Sequence, residues 1–493
     1  MDNRQNHFWK IGELANLLST QPLPVCCEVD FELELTGVTT DTRKIVSGEL
    51  FVALTGANFD GHDFIETAIA KGAPAVVVAG AVAELASLAQ RYPQILFLPV
   101  ADTLVALADL ARARLARINP IVIAVTGSNG KTTTKEMLAQ ILAPHLRVHK
   151  TAGNFNNRIG LPLTIFAMPD DCQVVVLEMG MNTPGEIAIL AAIAQPDYAI
   201  ITNVARAHLQ GLGSIEAVAR AKCEIIGELK SNSTLIYNSD DPCLKEMVLK
   251  VVARQPIGSR PKLLPVSEHG AADTMVKASE IWLTPEGISF VFTKDIEKAT
   301  ITLSCWGRHN VMNALLALAA GTCLDGIYPV PAANSLKKFR MPAGRLEKYT
   351  LGCGAGILLH DAYNANPDSM RAALVAVAER RGKRFLALVL GDMNELGAES
   401  VSLHRKLGEK VAEVRPDLLV LFGDFAAEIA GSAQACGLPQ ARIAQFSSGD
   451  FTQALILLKE RLPDDALVLV KASRALALEN IVNPLLSYFE VQK

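Results

Sequence analysis

No C-x-x-C pair occurs among the nine cysteines of this 493-residue chain, and their number is odd. Neither a disulfide framework nor a zinc site is indicated, and a reducing, cytoplasmic location is expected. The first residues, Met1-Asp2-Asn3-Arg4-Gln5, lack the apolar core of a secretory signal. No uncharged run reaches the ~18 residues a membrane-spanning helix needs, so membrane insertion is not expected. Basic charge is not in surplus. The formal net charge of −4 argues against nucleic acid as a partner and against a basic membrane-surface protein. Internal repeats and low-complexity segments are also missing.

What remains is a chain built to bury cores. Half of its residues are hydrophobic and a fifth are charged. Its length exceeds one ordinary core, so about two to four domains are expected.

The richest local signal is the apolar, β-branched run Ile121-Val122-Ile123-Ala124-Val125, followed by Thr126-Gly127-Ser128-Asn129-Gly130-Lys131-Thr132-Thr133. Strand, glycine-bearing loop and helix in that order form a phosphate-binding loop. Gly127 and Gly130 let backbone N–H groups close around phosphate oxygens, with Ser128 and Asn129 between them. The helix N-terminus adds unpaired donors and the positive end of its dipole. Lys131 can reach terminal phosphates, and the Thr132 hydroxyl can ligate Mg²⁺. The common G-x-x-x-x-G-K-[ST] form needs glycine at 125, where this chain has Val125. The competing reading is an ordinary glycine turn.

Residues 1–99 read as a small mixed α/β unit, with strands expected at Leu33–Val38 and Ala73–Val78 and a short apolar run, Leu50–Leu54, between polar loops. From 100 to 340, strand, loop and helix alternate. Strands are expected at Val174–Glu178, Ala199–Asn203 and Thr234–Asn238, in a mostly parallel sheet covered on both faces. Residues 275–306 alternate differently around Pro285-Glu286-Gly287 and suggest a small β-hairpin insert. A helix is expected over Asn310–Leu324. Met341-Pro342-Ala343-Gly344 is a plausible linker to residues 341–493, which read as a doubly wound, Rossmann-like α/β domain. The expected fold class is therefore α/β with three domains.

Ligands of open α/β sheets sit at the carboxyl ends of strands. Glu178, His208, Asp361 and the Gly391-Asp392-Met393-Asn394-Glu395 segment occupy such ends. Glu178 and His208 could complete a Mg²⁺ shell with Thr132. Taken singly, a strand-end glutamate often caps the next helix, and a lone histidine more often packs. Lys222, beside Glu216, Arg220 and Glu228, reads on its own as part of a solvated charged face.

These segments together resemble the Mur ligases of bacterial cell-wall synthesis. The resemblance spans essentially the whole chain. It rests on Thr126–Thr133, Gly153-Asn154-Phe155-Asn156-Asn157, Leu177-Glu178-Met179-Gly180, Asn203 with Ala207-His208-Leu209, Ala221-Lys222-Cys223-Glu224, Gly307–Asn313, Gly344-Arg345 and Asp361-Ala362-Tyr363-Asn364-Ala365-Asn366-Pro367. The T-G-x-x-G-K-T-T loop is that family's form and accounts for Val125. The D-x-Y-N-A-N-P segment, Gly391–Gly397 and Val470-Lys471-Ala472-Ser473-Arg474 match the members that add D-alanyl-D-alanine. The D-[DN]-P-[RNA]-type segment of the diaminopimelate- or lysine-adding members is missing after residue 341. Ala472 departs from the family, where glycine is expected.

The resemblance implies an ATP-dependent carboxylate–amine ligase of cytoplasmic peptidoglycan precursor synthesis, tied to cell shape and division. Its partners would be UDP-N-acetylmuramoyl-tripeptide and D-alanyl-D-alanine, and a monomer is expected. Residues 1–99 would bind the UDP substrate, through Thr42, Arg43 and the Gly56–His62 loop. Residues 100–340 would bind ATP. Lys131, Lys222, His208 and Arg345 would be catalytic. Asn310 would contact adenine and Asp361 the ribose, with Gly127–Thr133 and Arg345 at the phosphates. Thr132, Glu178 and His208 would hold one Mg²⁺, and a CO₂-carbamylated Lys222 would hold a second. Asn154, Asn156 and Asn157 would line the muramoyl-peptide path; Tyr363, Asn364, Asn366, Ser473 and Arg474 would meet the peptide ends. Another Mur-type ligase, or a nucleotide-dependent regulator without turnover, stays open. The unit over residues 1–99 argues against a folate-type relative, and two metal positions argue against a regulator.

Overall fold

The computed structural model describes residues 8–23, 28–56, 59–80, 82–207, 209–270, 274–352 and 356–491. His208, and Ala57 and Asn58 of the expected UDP loop, lie outside the described residues. Three sheets carry the fold.

The first is a four-stranded parallel sheet of β1 (Gly37–Thr39), β2 (Glu49–Val52), β3 (Ala75–Val78) and β4 (Leu96–Pro99), in that order. The expected strand at Leu33–Val38 is displaced. Residues 33–35 instead pair with the 9–11 segment, Leu35 donating to the Trp9 carbonyl and Ile11 to that of Leu33. The alternation there marks this small antiparallel bridge, and the sheet begins at Gly37.

The second sheet comprises β5 (Ile121–Thr126), β6 (Val148–Lys150), β7 (Val174–Glu178), β8 (Tyr198–Ile201), β9 (Thr234–Asn238), β10 (Lys262–Ser267), β11 (Val276–Leu283), β12 (Ile288–Lys294) and β13 (Glu297–Leu303). Their order is β13-β12-β11-β10-β9-β8-β5-β7-β6. β5 and β7 are β-branched runs buried almost throughout, as interior parallel strands must be. β5 pairs with β7 on one side and β8 on the other, so the chain order reverses at its carboxyl end. That is the switch point where open α/β sheets bind ligands.

Residues 275–306 form no separate hairpin insert. β11 pairs in parallel with β10, and β11–β13 continue the sheet as an antiparallel meander with two turns. Their one-sided burial explains the period-two pattern. The expected helix after it spans His309–Gly321.

The third sheet holds β14 (Glu347–Leu351), β15 (Gly356–His360), β16 (Leu386–Leu390), β17 (Leu418–Phe422), β18 (Ile443–Phe446) and β19 (Leu467–Lys471), ordered β14-β15-β19-β16-β17-β18. All but β14 run parallel. The described helices include none long and apolar enough to cross a membrane.

Candidate active site

The loop after β5 enters the Lys131–Leu142 helix, whose N-terminus no side chain caps. Its first N–H groups are therefore left for a ligand. Gly127 and Gly130 have φ of +140° and +82°, and side chains there would collide with Thr202 and Asn313. The loop is stapled to the chain after β8. Ser128 N–H donates to the Asn203 carbonyl at 3.0 Å. Asn129 N–H donates to Asn203 Oδ1 at 2.9 Å, and Thr202 Oγ1 donates to the Asn129 carbonyl at 2.6 Å. Lys131 Nζ donates to the Gly127 and Ser128 carbonyls at 2.8 and 3.2 Å. Burial brings its pKa down to about 8; Glu178 opposes the shift and Arg345 adds to it.

A cavity of about 570 Å³ opens from this loop toward the third sheet. Ser128, Asn129, Gly130, Lys131 and Thr133 line it from the loop, Asn154, Asn156, Asn157 and Glu178 from the β6–β7 side, and Arg345, Asp361, Tyr363, Asn364 and Asn366 from the third unit. Thr132 lies buried on the first helical turn. These residues are far apart in sequence, and the cavity brings them together.

Glu178 ends β7 almost wholly buried and caps no helix. Its Oε1 accepts from Asn156 Nδ2 at 3.0 Å. Its Oε2 is buried without a hydrogen bond, 3.6 Å from Lys135 Nζ. Lys222 contradicts the solvated-face reading outright. The Ile215–Cys223 helix, capped by Ser214, turns Val218, Ala219, Ala221 and Lys222 inward, and Lys222 has no exposure. Its Nζ has no hydrogen-bond partner. Burial, aided by the Lys131 cation, pushes its pKa well below the lysine range, with Glu224 and Glu186 opposing. Among the described residues no three His, Cys, Asp or Glu side chains converge as a metal cage.

On the third unit, the Arg345 guanidinium stacks 4.2 Å from the centre of the Tyr363 ring. Asp361 Oδ1 accepts from Leu346 N–H at 3.0 Å. Lys471 Nζ donates to the Asn364 carbonyl at 3.0 Å, which fixes the loop after β15.

Other expected site residues lie elsewhere. Asn310 faces inward: its Nδ2 donates to the Trp306 carbonyl at 2.8 Å, and its Oδ1 accepts from Asn313 at 2.9 Å. Asn313, His309 and Met312 line the cavity instead. Thr42 and Arg43 sit in the turn after β1 and His62 in the short 3-10 helix Gly61–Phe64 after β2, and none of them lines this cavity. Arg43 forms a two-pronged pair with Asp41, 2.8 Å at each contact. His62 Nδ1 meets Asp60 at 2.6 Å and its Nε2 accepts from Ala79 N–H at 2.8 Å, so neither nitrogen is left for a ligand. Ser473 is buried, accepting from Asn394 N–H at 2.8 Å, and Arg474 pairs with Glu479 at the surface.

Lys135, Asn313 and Lys471 carry no site role in the sequence reading, although Asn313 and Lys471 lie within the motif segments Gly307–Asn313 and Val470–Arg474. Lys135 follows Lys131 by one helical turn, the only local hint that both face Glu178.

A phosphate loop at a switch point, facing a cavity closed by a second doubly wound sheet, defines a nucleotide-handling α/β enzyme. Comparison with known proteins narrows the class. Residues 34–115 match the model of the Mur ligase family catalytic domain, 125–321 that of the Mur ligase middle domain, and 344–474 that of the Mur ligase glutamate ligase domain. The chain belongs to the Mur ligase family. A Bacillus subtilis relative, UDP-N-acetylmuramoyl-tripeptide--D-alanyl-D-alanine ligase, is 41% identical over 91% of this chain and 93% of its own. The enzyme of that name from Escherichia coli is 36% identical over 92% and 94%. Among solved structures, MurF from Acinetobacter baumannii superposes with a TM-score of 0.83 at 28% identity, covering 98% of this chain and 100% of its own. MurF from Thermotoga maritima, in complex with ADP, gives 0.79 at 28% identity over 93% and 98%.

Proposed function

We propose that the protein joins D-alanyl-D-alanine to the peptide carboxylate of UDP-N-acetylmuramoyl-tripeptide, using ATP, in cytoplasmic peptidoglycan precursor synthesis. The observation that carries this reading is the cavity shared by the phosphate loop and the Asp361–Asn366 loop, in a chain whose relatives bear that name along nearly their full length. In the proposed division of labour, residues 1–99 hold the UDP end, 100–340 the ATP phosphates and 341–493 the dipeptide.

ATP phosphorylates the tripeptide carboxylate to an acyl phosphate and ADP. The dipeptide amine attacks the acyl carbon, and phosphate leaves as the amide forms. Such a transfer needs placement and charge neutralisation more than a protein nucleophile. Lys131, in the cavity wall with Arg345, neutralises the transferring phosphoryl group. Asp361 holds the ribose. Asn154, Asn156 and Asn157 guide the muramoyl-peptide, and Tyr363 and Asn364 meet the dipeptide. The buried Asn310 supports Asn313 at the adenine end. Closure of the third unit over the loop excludes water from the labile acyl phosphate.

Mg²⁺ fits the donor set on one count: Glu178 Oε2 is a buried carboxylate oxygen without a hydrogen bond. Glu178, Thr132 and His208 would hold one ion and carbamylated Lys222 a second, supplying charge neutralisation at the phosphates. A buried amine with no partner is a poor ammonium and a good nucleophile for CO₂. Attack by the neutral Nζ forms an N–C bond, releases one proton and leaves an anionic carbamate.

The test is phosphate release from ATP with Mg²⁺ and UDP-N-acetylmuramoyl-tripeptide, with and without D-alanyl-D-alanine. Dipeptide-dependent release, with a product heavier by the dipeptide, is expected. Release only with shorter UDP-muramoyl peptides and single amino acids would overturn the substrate assignment.

A further inference from the structure

Asn129 of the phosphate loop and Asn366 of the third unit exchange amide hydrogen bonds. Asn366 Nδ2 donates to Asn129 Oδ1 at 2.7 Å, and Asn129 Nδ2 donates back to Asn366 Oδ1 at 3.3 Å. Neither asparagine is free to follow the other passively. The backbone of Asn129 is clamped by Thr202 and Asn203, so its side chain reports the set of the phosphate loop. Asn366 caps the Pro367–Arg380 helix, its Oδ1 accepting from Ser369 N–H at 2.9 Å. The helix is fixed at its far end as well. The Arg380 guanidinium donates to the Thr284 and Gly287 carbonyls of the β11–β12 turn and lies 5.4 Å from the centre of the Trp306 ring.

One helix thus touches the central sheet at both ends. At 1.5 Å per residue its 14 residues span about 21 Å, so a 10° rotation about the Arg380 end moves Asn366 by roughly 4 Å. That breaks the amide pair while leaving the Arg380 contacts nearly in place. In the same first turn, Asp368 Oδ2 accepts from Arg206 N–H at 3.3 Å, a second contact at the Asn366 end.

We propose that Asn129 and Asn366 are positioning residues forming an interdomain latch, with Arg380 as the pivot, that holds the third unit closed while the acyl phosphate exists. The proposal rests on the ligase reading for its catalytic consequence, but not for its geometry. It also reassigns Asn366: its amide meets the phosphate loop and not the peptide.

The test uses Asn366→Ser, which keeps an N-cap oxygen but loses the amide donor. Two readouts separate the latch from mere stability. Small-angle scattering with a non-hydrolysable ATP analogue is expected to show a larger radius of gyration than wild type, at an unchanged melting temperature. The phosphate released in excess of dipeptide joined is expected to rise about 3- to 10-fold over the wild-type leak, the equivalent of one ordinary hydrogen bond in the opening equilibrium, as the intermediate meets water. Adding Asn129→Ser is expected to change either readout little further, because the two side chains form one unit. A scattering profile identical to wild type overturns the latch whatever the turnover. Wild-type protein without dipeptide-dependent phosphate release overturns the ligase reading, while the scattering comparison still decides whether the latch exists.

Discussion

Lys471 Nζ lies 2.8 Å from Asp361 Oδ2, the lysine fully withdrawn from solvent and the carboxylate nearly so. This pair ties the end of β19 to the loop after β15. Asp361 in turn accepts from Leu346 N–H, in the connection between the second and third sheets. Lys471 therefore orients the carboxylate proposed to hold the ribose. Lys471→Met leaves Asp361 without its cation. The expected cost is about 3 kcal/mol, the low end for a broken buried pair because Asp361 keeps some solvent. KM for ATP should rise more than kcat falls. Chemical denaturation and steady-state kinetics check both; unchanged stability would mean that the pair is dispensable.

Lys222 makes a second prediction. An unmodified Lys222 is a buried amine without a hydrogen-bond partner. Its folded-state pKa is depressed, so the folded protein binds fewer protons than the unfolded chain. The stability of CO₂-free protein should then rise with pH toward the unfolded lysine pKa of about 10.4. Bicarbonate should raise stability and activity together. Lys222→Ala should be nearly inactive, gain partial activity from acetate, and lose the pH-dependent rise. Full activity of this variant, with no bicarbonate response in wild type, would remove Lys222 from the chemistry.

How much of the molecule is legible in its sequence depends on range. The phosphate loop is a local pattern, and strand, glycines and Lys131 stand next to one another. The parallel strands at β7 and β9 are readable because interior strands are continuous apolar runs. Lys222 is not readable from its neighbours. Its helix alternates charge like a surface helix, and only packing decides which turn is buried. Nor can Asn366 be paired with Asn129 across 237 positions. His62 is a candidate only through the family resemblance, and no local pattern shows that Asp60 and Ala79 occupy both of its nitrogens. The antiparallel meander escapes a sequence reading because a two-sided hairpin and a sheet extension share one periodicity.

The family resemblance leads one to expect glycine where Ala472 stands, and the structure gives that alanine a partner. A side chain at Gly391 would place its Cβ 2.9 Å from the Ala472 methyl, and closer still to Leu476. Ala472 has no exposure. Gly391→Ala should therefore cost about 1–3 kcal/mol by overpacking. Ala472→Gly in the same chain should return part of that loss, while Leu476 keeps the remainder. Thermal unfolding of the single and double variants measures the coupling, and strictly additive effects would mean that the two positions do not meet.

The thiols offer a prediction that needs no substrate. Burial pushes Cys223 and Cys305 up to about 12, against about 8.5 for an ordinary thiol. At pH 8 their thiolate fraction is then on the order of 10⁻⁴, and only the thiolate alkylates. Cys436 is the exposed cysteine among the described ones, after the Ala426–Ala435 helix. Iodoacetamide at pH 8 should therefore modify Cys436 within minutes and spare Cys223 and Cys305 until the fold opens. Cys223 is the sharper reporter, because it adjoins Lys222 at the end of the same helix. If the helix is held by ligands bound at the cavity, ATP with Mg²⁺ should slow Cys223 alkylation further and leave Cys436 untouched. Peptide mass spectrometry over a time course reads both sites at once. Early modification of Cys223 in native protein would show that the Ile215–Cys223 helix opens readily, and with it the buried setting of Lys222.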